Sequence, residues 1–341
     1  MIVHIMIIEK FIPPFIEFVN KNFNSKEHIF ILLGKKENRY GMKEYQNAVW
    51  IDKKYKVFSL LRHLYKAEKI IIHGLWSENF LKVLYLTPCL LKKSYWVMWG
   101  GDFYFPDKQS NIKKQVIKKI GHFVTYIKGD YELVKKWYGA NGEYHECIMY
   151  PSNLFKEYNV DNIPQKDYIA IQIGNSATET NNHFEVFEKL KKYRNENIML
   201  YVPLSYGDKE YAKKVIKKGY EIFGEKKFKP ILEFMPFDKY LEFLAKIDIA
   251  IFNHNRQQGM GNIITLLGLG KKVYMRSDVT SWKMFEEKGI KIFDFENIEI
   301  SLIDERIKKE NIEKIKTYFS EENLKSQLEK IFESQHEKVA N

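Results

Sequence analysis

The chain has 341 residues, 45% hydrophobic and 15% aromatic, which supports two domain-sized cores and excludes a largely disordered polypeptide. Two cysteines, Cys89 and Cys147, with no C-x-x-C pair exclude a disulfide framework and a cysteine zinc site, and fit a reducing cytoplasm. The net charge of +11 sits in the first half: residues 1–150 hold 24 Lys and Arg against 14 Asp and Glu, while the rest balances 31 against 30. The first half is therefore the one expected to face an anionic partner: nucleic acid, an anionic membrane surface or an acidic substrate.

Met1–Ile8 is apolar but lacks a basic leader and a small-residue cleavage site, so it reads as a first strand. No apolar run approaches the ~18 residues of a membrane-spanning helix. Strand-like and helix-like stretches then alternate, which predicts α/β domains with parallel sheets. Strands are expected at Ile2–Ile8, His28–Leu33, Ala48–Ile51, Lys69–His73, Ser94–Met98, Phe123–Ile127 and His145–Met149. Helices are expected between them at Pro13–Asn22, Val57–Lys66, Glu78–Leu91, Ile112–Ile120 and Tyr131–Trp137. Pro151–Lys166 has Asn, Pro and charge without periodicity and reads as a linker. A second series follows, with strands at Tyr168–Ile173, Ile198–Val202, Phe228–Leu232, Ile247–Phe252, Lys272–Met275 and Ile290–Phe293. Its helices are His183–Tyr193, Lys209–Phe223, Asp238–Lys246, Asn262–Leu269, Val279–Lys288 and a closing Ser320–Phe332. The expectation is two Rossmann-like α/β domains, 1–155 and 165–341, facing each other across a cleft, with the closing helix free to return to the first. Ligands in such sheets bind outside the carboxyl ends of the strands.

The most informative stretch is Ile247–Gly270. A buried strand feeds a polar loop carrying Arg256, Gln257, Gln258, Gly259 and Gly261, and a helix opens near Asn262. The first amides of a helix lack intrahelical partners and carry the positive end of its dipole, so a glycine-bearing entry loop makes a phosphate seat. Arg256 would fork two hydrogen bonds onto that phosphate. The same pattern also reads as a surface turn whose glycines serve the bend. Three more loops lie at this sheet edge. Gly174–Asn182 offers Gly174, Asn175, Ser176 and Thr178 to a phosphate or ribose, or simply caps a helix. Pro203–Asp208 supplies Tyr206, and Phe234, Met235 and Phe237 either wall a nucleobase or pack into the core. Together the four suit a nucleoside diphosphate.

In the first half, His73-Gly74 ends a buried strand, and His73 reads either as a general base or as a structural histidine. In Trp96–Pro106, Gly100 and Gly101 bring the backbone close to a neighbour. Asp102 projects there among Trp99, Phe103 and Tyr104, as a base in a dry aromatic loop or as a carboxylate bonded to loop amides. The rings, Tyr104 among them, suit a sugar face. Lys113, Lys114, Lys118 and Lys119 flank an apolar helical stripe, either a solvated face or a patch for anionic lipid. No nucleic-acid module is recognisable.

Five of these stretches resemble the bacterial 4-acetamidofucose transferases of glycosyltransferase family 56. They are His73-Gly74, WGGDFY at Trp99–Tyr104 (WGADLY in the family), GNS at Gly174–Ser176, VP followed by Tyr206, and RQQGMG at Arg256–Gly261. They share the family's order and similar spacing over most of the chain. The resemblance implies a GT-B fold, with acceptor bound to the first domain by Gly100, Gly101 and Tyr104, and nucleotide sugar bound to the second. It also implies a dTDP-sugar donor, a polyprenyl-diphosphate-linked glycan acceptor, a place on the cytoplasmic face of the inner membrane, and no metal, since Arg256, amides and helix dipole would stabilise the leaving diphosphate. The sequence agrees in having no D-x-D at a strand end and no E-x7-E around Arg256. It departs from the family at Glu9–Pro14, EKFIPP, where relatives carry polar residues and paired histidines and where the acceptor is expected to touch. Two other functions use the same features: a nucleotide-sugar epimerase of this architecture, and a basic membrane-surface or nucleic-acid-binding scaffold.

Overall fold

In a computed structural model the chain forms two compact units, Met1–Leu154 together with the chain from Glu321 onward, and Phe155–Ser320. The described residues are 1–36, 40–53, 56–157 and 166–333, so part of the expected linker Pro151–Lys166 lies outside them, as does the side chain of Phe237.

Among the described residues the first unit is a parallel sheet in the order β3-β2-β1-β4-β5-β6-β7. Its strands are β1 (Ile2–Met6), β2 (His28–Leu33), β3 (Ala48–Ile51), β4 (Lys69–His73), β5 (Ser94–Val97), β6 (His122–Val124) and β7 (Glu143–His145). Helices α1 (Ile12–Asn22), α2 (Val57–Lys66), α3 (Glu78–Leu86), α4 (Pro88–Leu91), α5 (Asn111–Lys119) and α6 (Lys128–Tyr138) alternate with them. β1 and β4 are buried at every position, as strands covered on both faces must be. The helix expected over Glu78–Leu91 is two helices, because Pro88 has no N–H to continue the first and instead starts the second. The strand expected at His145–Met149 lies earlier: β7 pairs with β6 through Glu143 and His145, and Cys147–Tyr150 is buried irregular chain.

The second unit carries a parallel sheet in the order β10-β9-β8-β11-β12-β13. These are β8 (Ile169–Ile173), β9 (Ile198–Pro203), β10 (Phe228–Ile231), β11 (Ile249–Phe252), β12 (Lys272–Met275) and β13 (Phe293–Asp294). The helices are α7 (His183–Leu190), α8 (Lys209–Lys227), α9 (Phe237–Lys246), α10 (Met260–Gly268), α11 (Thr280–Glu287) and α12 (Glu305–Tyr318). α12 was not expected. Only a thin apolar stripe runs through its charges, but Asp304 caps it by accepting from the Arg306 and Ile307 amides, and it packs on α10.

The last helix, α13 (Glu321–Glu333), belongs to the first unit, so the second ends at Ser320 rather than at 341. Leu324, Leu328 and Ile331 are buried, and Gln327 accepts from the Ile148 amide at 2.8 Å. Lys69 donates to the carbonyls of Ile331 (2.6 Å) and Phe332 (3.0 Å), placing a cation on the negative end of the helix dipole. Among the described residues no helix is long and apolar enough to cross a membrane.

Candidate active site

In the second unit the loops after β8, β9 and β11 meet at the carboxyl edge of the sheet. α10 starts from Gly259, held at φ 68°, a left-handed backbone that a β-carbon would strain. No side chain caps this helix, and nothing lies within 4 Å of where a Cβ on Gly261 would sit. Its first turn therefore offers backbone amides and the positive dipole end to open space. Beside it Arg256, half-buried, donates through Nη1 to the Gln257 carbonyl at 3.0 Å.

The neighbouring loop is tied to this turn. Gln258 accepts from Thr180 Oγ1 at 2.6 Å and donates to Thr178 Oγ1 at 3.3 Å. Asn181 Oδ1 meets the Asn175 amide at 2.9 Å and His254 Nε2 at 3.0 Å, while its Nδ2 donates to Thr178 Oγ1 and Ser176 Oγ. Burial pushes His254 down to about 3, against the upward pull of its bond to the Gln258 carbonyl. Gly174 is required here: a Cβ on it would stand 2.5 Å from Asn181 Oδ1. The structure brings Asn175 and Tyr206 together, Asn175 Nδ2 donating to the Tyr206 hydroxyl at 2.7 Å. Asn262 accepts from the Tyr240 hydroxyl.

Ser176 departs from the expected ligand-facing role. It is fully buried and its hydroxyl is taken up within the loop by Thr178 and Asn181. Phe234, expected as a base wall, is 83% exposed on the loop after β10. The buried carbonyl oxygens Asn175 Oδ1 and Asn253 Oδ1 have no hydrogen-bond partner, an arrangement costing about 1–3 kcal/mol each that folded interiors rarely keep outside functional sites.

The first unit presents an aromatic edge. Gly74 (φ 76°) sits where a Cβ would meet Trp76 at 2.6 Å and Trp99 at 2.9 Å, and Gly101 has the same relation to Trp76 at 3.0 Å. Phe11 packs against Trp99 and Tyr150, with ring centroids 4.8 and 4.6 Å away. Gly100, at φ 84°, makes the turn. Trp76 is 43% exposed, so this edge meets solvent with flat rings.

Three expectations change here. Asp102 is fully enclosed: Oδ2 accepts from the Leu75 amide (3.1 Å) and Trp96 Nε1 (2.8 Å), and Oδ1 from the Trp99 amide (3.1 Å). Burial raises its pKa against the pull of those donors. With no open lone pair at the surface it positions the WGGDFY turn and does not meet a substrate proton. Tyr104 is also buried, donating to Asp130 Oδ1 at 2.8 Å, so the acceptor face lacks its side chain. Lys113 leaves the basic patch: it is buried, donates to Gln109 at 3.0 Å and lies over the Trp76 ring, whereas Lys118 and Lys119 are exposed and Lys114 half-buried.

His73 ends a buried chain. Trp99 Nε1 donates to the Tyr150 hydroxyl (2.8 Å), which meets His73 Nδ1 (2.8 Å). His73 Nε2 meets His4 Nδ1 (3.2 Å), and His4 Nε2 meets His28 Nδ1 (3.0 Å). Trp99 can only donate, and with Tyr150 donating to His73 and each histidine donating to the next, every link is satisfied and the Tyr150 proton is used. Burial pushes His73 down to about 3 and His28 to about 4, with His4 well below its usual value. All three are neutral, and His73, enclosed, is not placed as a base. The unfolded chain binds their protons first, so the stability they carry is complete above pH 6.5 and is lost as the pH falls. His73 and His28 are each expected to contribute a loss of about 2 kcal/mol at pH 5. The check is a denaturant series between pH 7.5 and 4.5, in which His28→Gln should flatten the decline.

Sequence reasoning placed Glu9 only within the departing stretch Glu9–Pro14 and missed Asn181 and Asn253. Glu9 is a half-buried carboxylate just past β1, two residues from Phe11. Its signal was position: a lone carboxylate after the first strand of a doubly wound domain. Asn181 and Asn253 carry no such signal, because their roles depend on a loop–loop network.

The family model described as 4-alpha-L-fucosyltransferase glycosyl transferase group 56 matches residues 12–336. A glycosyltransferase from Rickettsia africae superposes with a TM-score of 0.68 at 11% identity, covering 99% of both chains. Anabaena Alr3699/HepE, crystallised with UDP and glucose, gives 0.65 at 9% identity over 98% of this chain and 99% of that one. WaaG, a glycosyltransferase of lipopolysaccharide biosynthesis, gives 0.59 at 10% identity over 99% and 100%. These likenesses establish the GT-B fold of two Rossmann-like domains, and the family match over nearly the whole chain establishes the rest: the chain belongs to glycosyl transferase group 56 and is a glycosyltransferase.

Proposed function

We propose that the enzyme moves a 4-acetamidofucose-like deoxyamino sugar from a dTDP-linked donor to an undecaprenyl-diphosphate-linked glycan during bacterial surface polysaccharide synthesis. The observation that carries this reading is the uncapped first turn of α10, with Gly259 and Gly261 leaving its amides open beside Arg256. Such a turn holds a diphosphate, and the same charges stabilise the diphosphate as it leaves, so no metal is needed. The UDP complex of HepE, a protein of this fold, supports the nucleotide assignment. Asn175 and Tyr206, hydrogen-bonded to each other beside this turn, would pair with a ribose or sugar hydroxyl.

On the first unit, the Phe11, Trp76 and Trp99 edge suits the apolar face of an acceptor sugar. Glu9 takes up the proton of the incoming hydroxyl as its oxygen bonds to the anomeric carbon and the bond to the diphosphate breaks. Lys114, Lys118 and Lys119 on α5, with the exposed Tyr85 and Leu86 of the adjoining α3, would seat the enzyme on an anionic inner-membrane surface on its cytoplasmic side. A thermal-shift panel of dTDP, UDP, GDP and their sugars tests the donor site. dTDP should raise Tm most; if none of the nucleotides shifts it, the diphosphate reading fails.

A further inference from the structure

We propose that the first unit holds a zinc-class divalent cation on β6 and β7, between His122 and Glu143, the first residues of those strands, and His145, the last of β7. The site shares no residue with the aromatic edge. His122 and Glu143 are paired in register and His145 follows two residues along β7, so all three side chains leave one face of the sheet.

The ligand atoms are already gathered. His122 Nδ1 lies 2.9 Å from His145 Nε2 and 3.5 Å from Glu143 Oε2, and His145 Nε2 lies 3.9 Å from the same oxygen. A triangle with these sides has a point about 2.0 Å from every corner, the bond length zinc takes to imidazole nitrogen and carboxylate oxygen. Two neutral imidazoles and one carboxylate form a donor set that suits zinc, nickel or copper and disfavours magnesium and calcium.

The surroundings hold these groups in place. The Tyr95 ring stacks on His122 at a centroid distance of 4.0 Å and 6°, which fixes the plane of that ring. The ammonium whose charge acts on both imidazoles, Lys69, is held by the carbonyls closing α13. Glu143 is 68% exposed on its side chain, leaving a fourth position to water. On binding, the cation takes the place of the proton shared by the two imidazoles, which moves to the far nitrogen of one ring. The effect is to staple β7, the short edge strand, to β6.

The test uses the full chain without a polyhistidine tag, freed of metal by a chelator. Zinc is titrated against a chromogenic competitor, and cobalt is added to read its visible bands. The proposal expects one equivalent of zinc, visible cobalt bands that appear on binding, and a higher Tm with zinc. It also expects at least a tenfold weaker affinity in Glu143→Gln, whose exposed side chain leaves folding intact, and loss of stoichiometric binding in His145→Gln, with circular dichroism confirming its fold. Absence of stoichiometric zinc binding, or parental affinity in both variants, overturns it and leaves a histidine pair joined by a hydrogen bond.

Discussion

Arg256→Ala is expected to weaken nucleoside diphosphate binding by about 10- to 100-fold and to slow turnover further, without lowering Tm by more than a degree or two. The magnitude follows from one charge-assisted contact, worth about 1.5–3 kcal/mol, with 1.4 kcal/mol per factor of ten. Turnover suffers more than affinity because negative charge on the diphosphate grows as the glycosidic bond breaks. Gly261→Ala makes the companion measurement. A methyl group there meets no neighbouring atom, and alanine favours helix by about 1 kcal/mol, so the apo protein should become slightly more stable. The same methyl occupies the space over the amide turn, so nucleotide affinity should fall. Calorimetric titration reads both variants. Unchanged affinity in the pair would move the diphosphate away from α10.

Glu9→Gln is expected to lower kcat by about 10²- to 10⁴-fold while nucleotide affinity stays parental, the usual contribution of a positioned base. Asp102→Asn separates the two carboxylates. An amide at position 102 turns an N–H toward donors that the carboxylate satisfied, costing about 1–3 kcal/mol, so its main effect is a lower Tm. A folded Asp102→Asn enzyme with a kcat thousands of times below parental, beside a near-normal Glu9→Gln, would reverse the assignment.

Much of the fold was legible because doubly wound sheets write themselves plainly. β1 and β4 are short apolar runs, α2 has Val57–Lys66 as its bounds in both readings, and the glycines at 174, 259 and 261 mark turns that only a phosphate seat or a tight bend needs. What stayed hidden depends on tertiary company. α12 looks like a solvated charge run until α10 is there to cover its stripe. Asp102 among aromatics looks like a tuned base until three donors are counted around it. His73 suggested a catalytic histidine; its partners His4 and His28 lie 69 and 45 residues upstream, and nothing in their own stretches announces the chain. Lys113 is indistinguishable by type from Lys118, yet helix phase turns one inward onto Trp76 and the other outward.

The return of α13 to the first unit sets an order on biosynthesis. Residues 1–154 leave the ribosome early, but Lys69 finds the carbonyls of Ile331 and Phe332, and the rings of His28 and Phe23 find Phe332, only when the last turns emerge. Domains usually mature from the amino terminus onward. Here the middle of the polypeptide can be complete first, and the leading portion must wait, partly uncovered, for the trailing one. A nascent chain arrested once residue 320 has left the ribosome should therefore show a protease-resistant central fragment beside a first portion that is still readily cut.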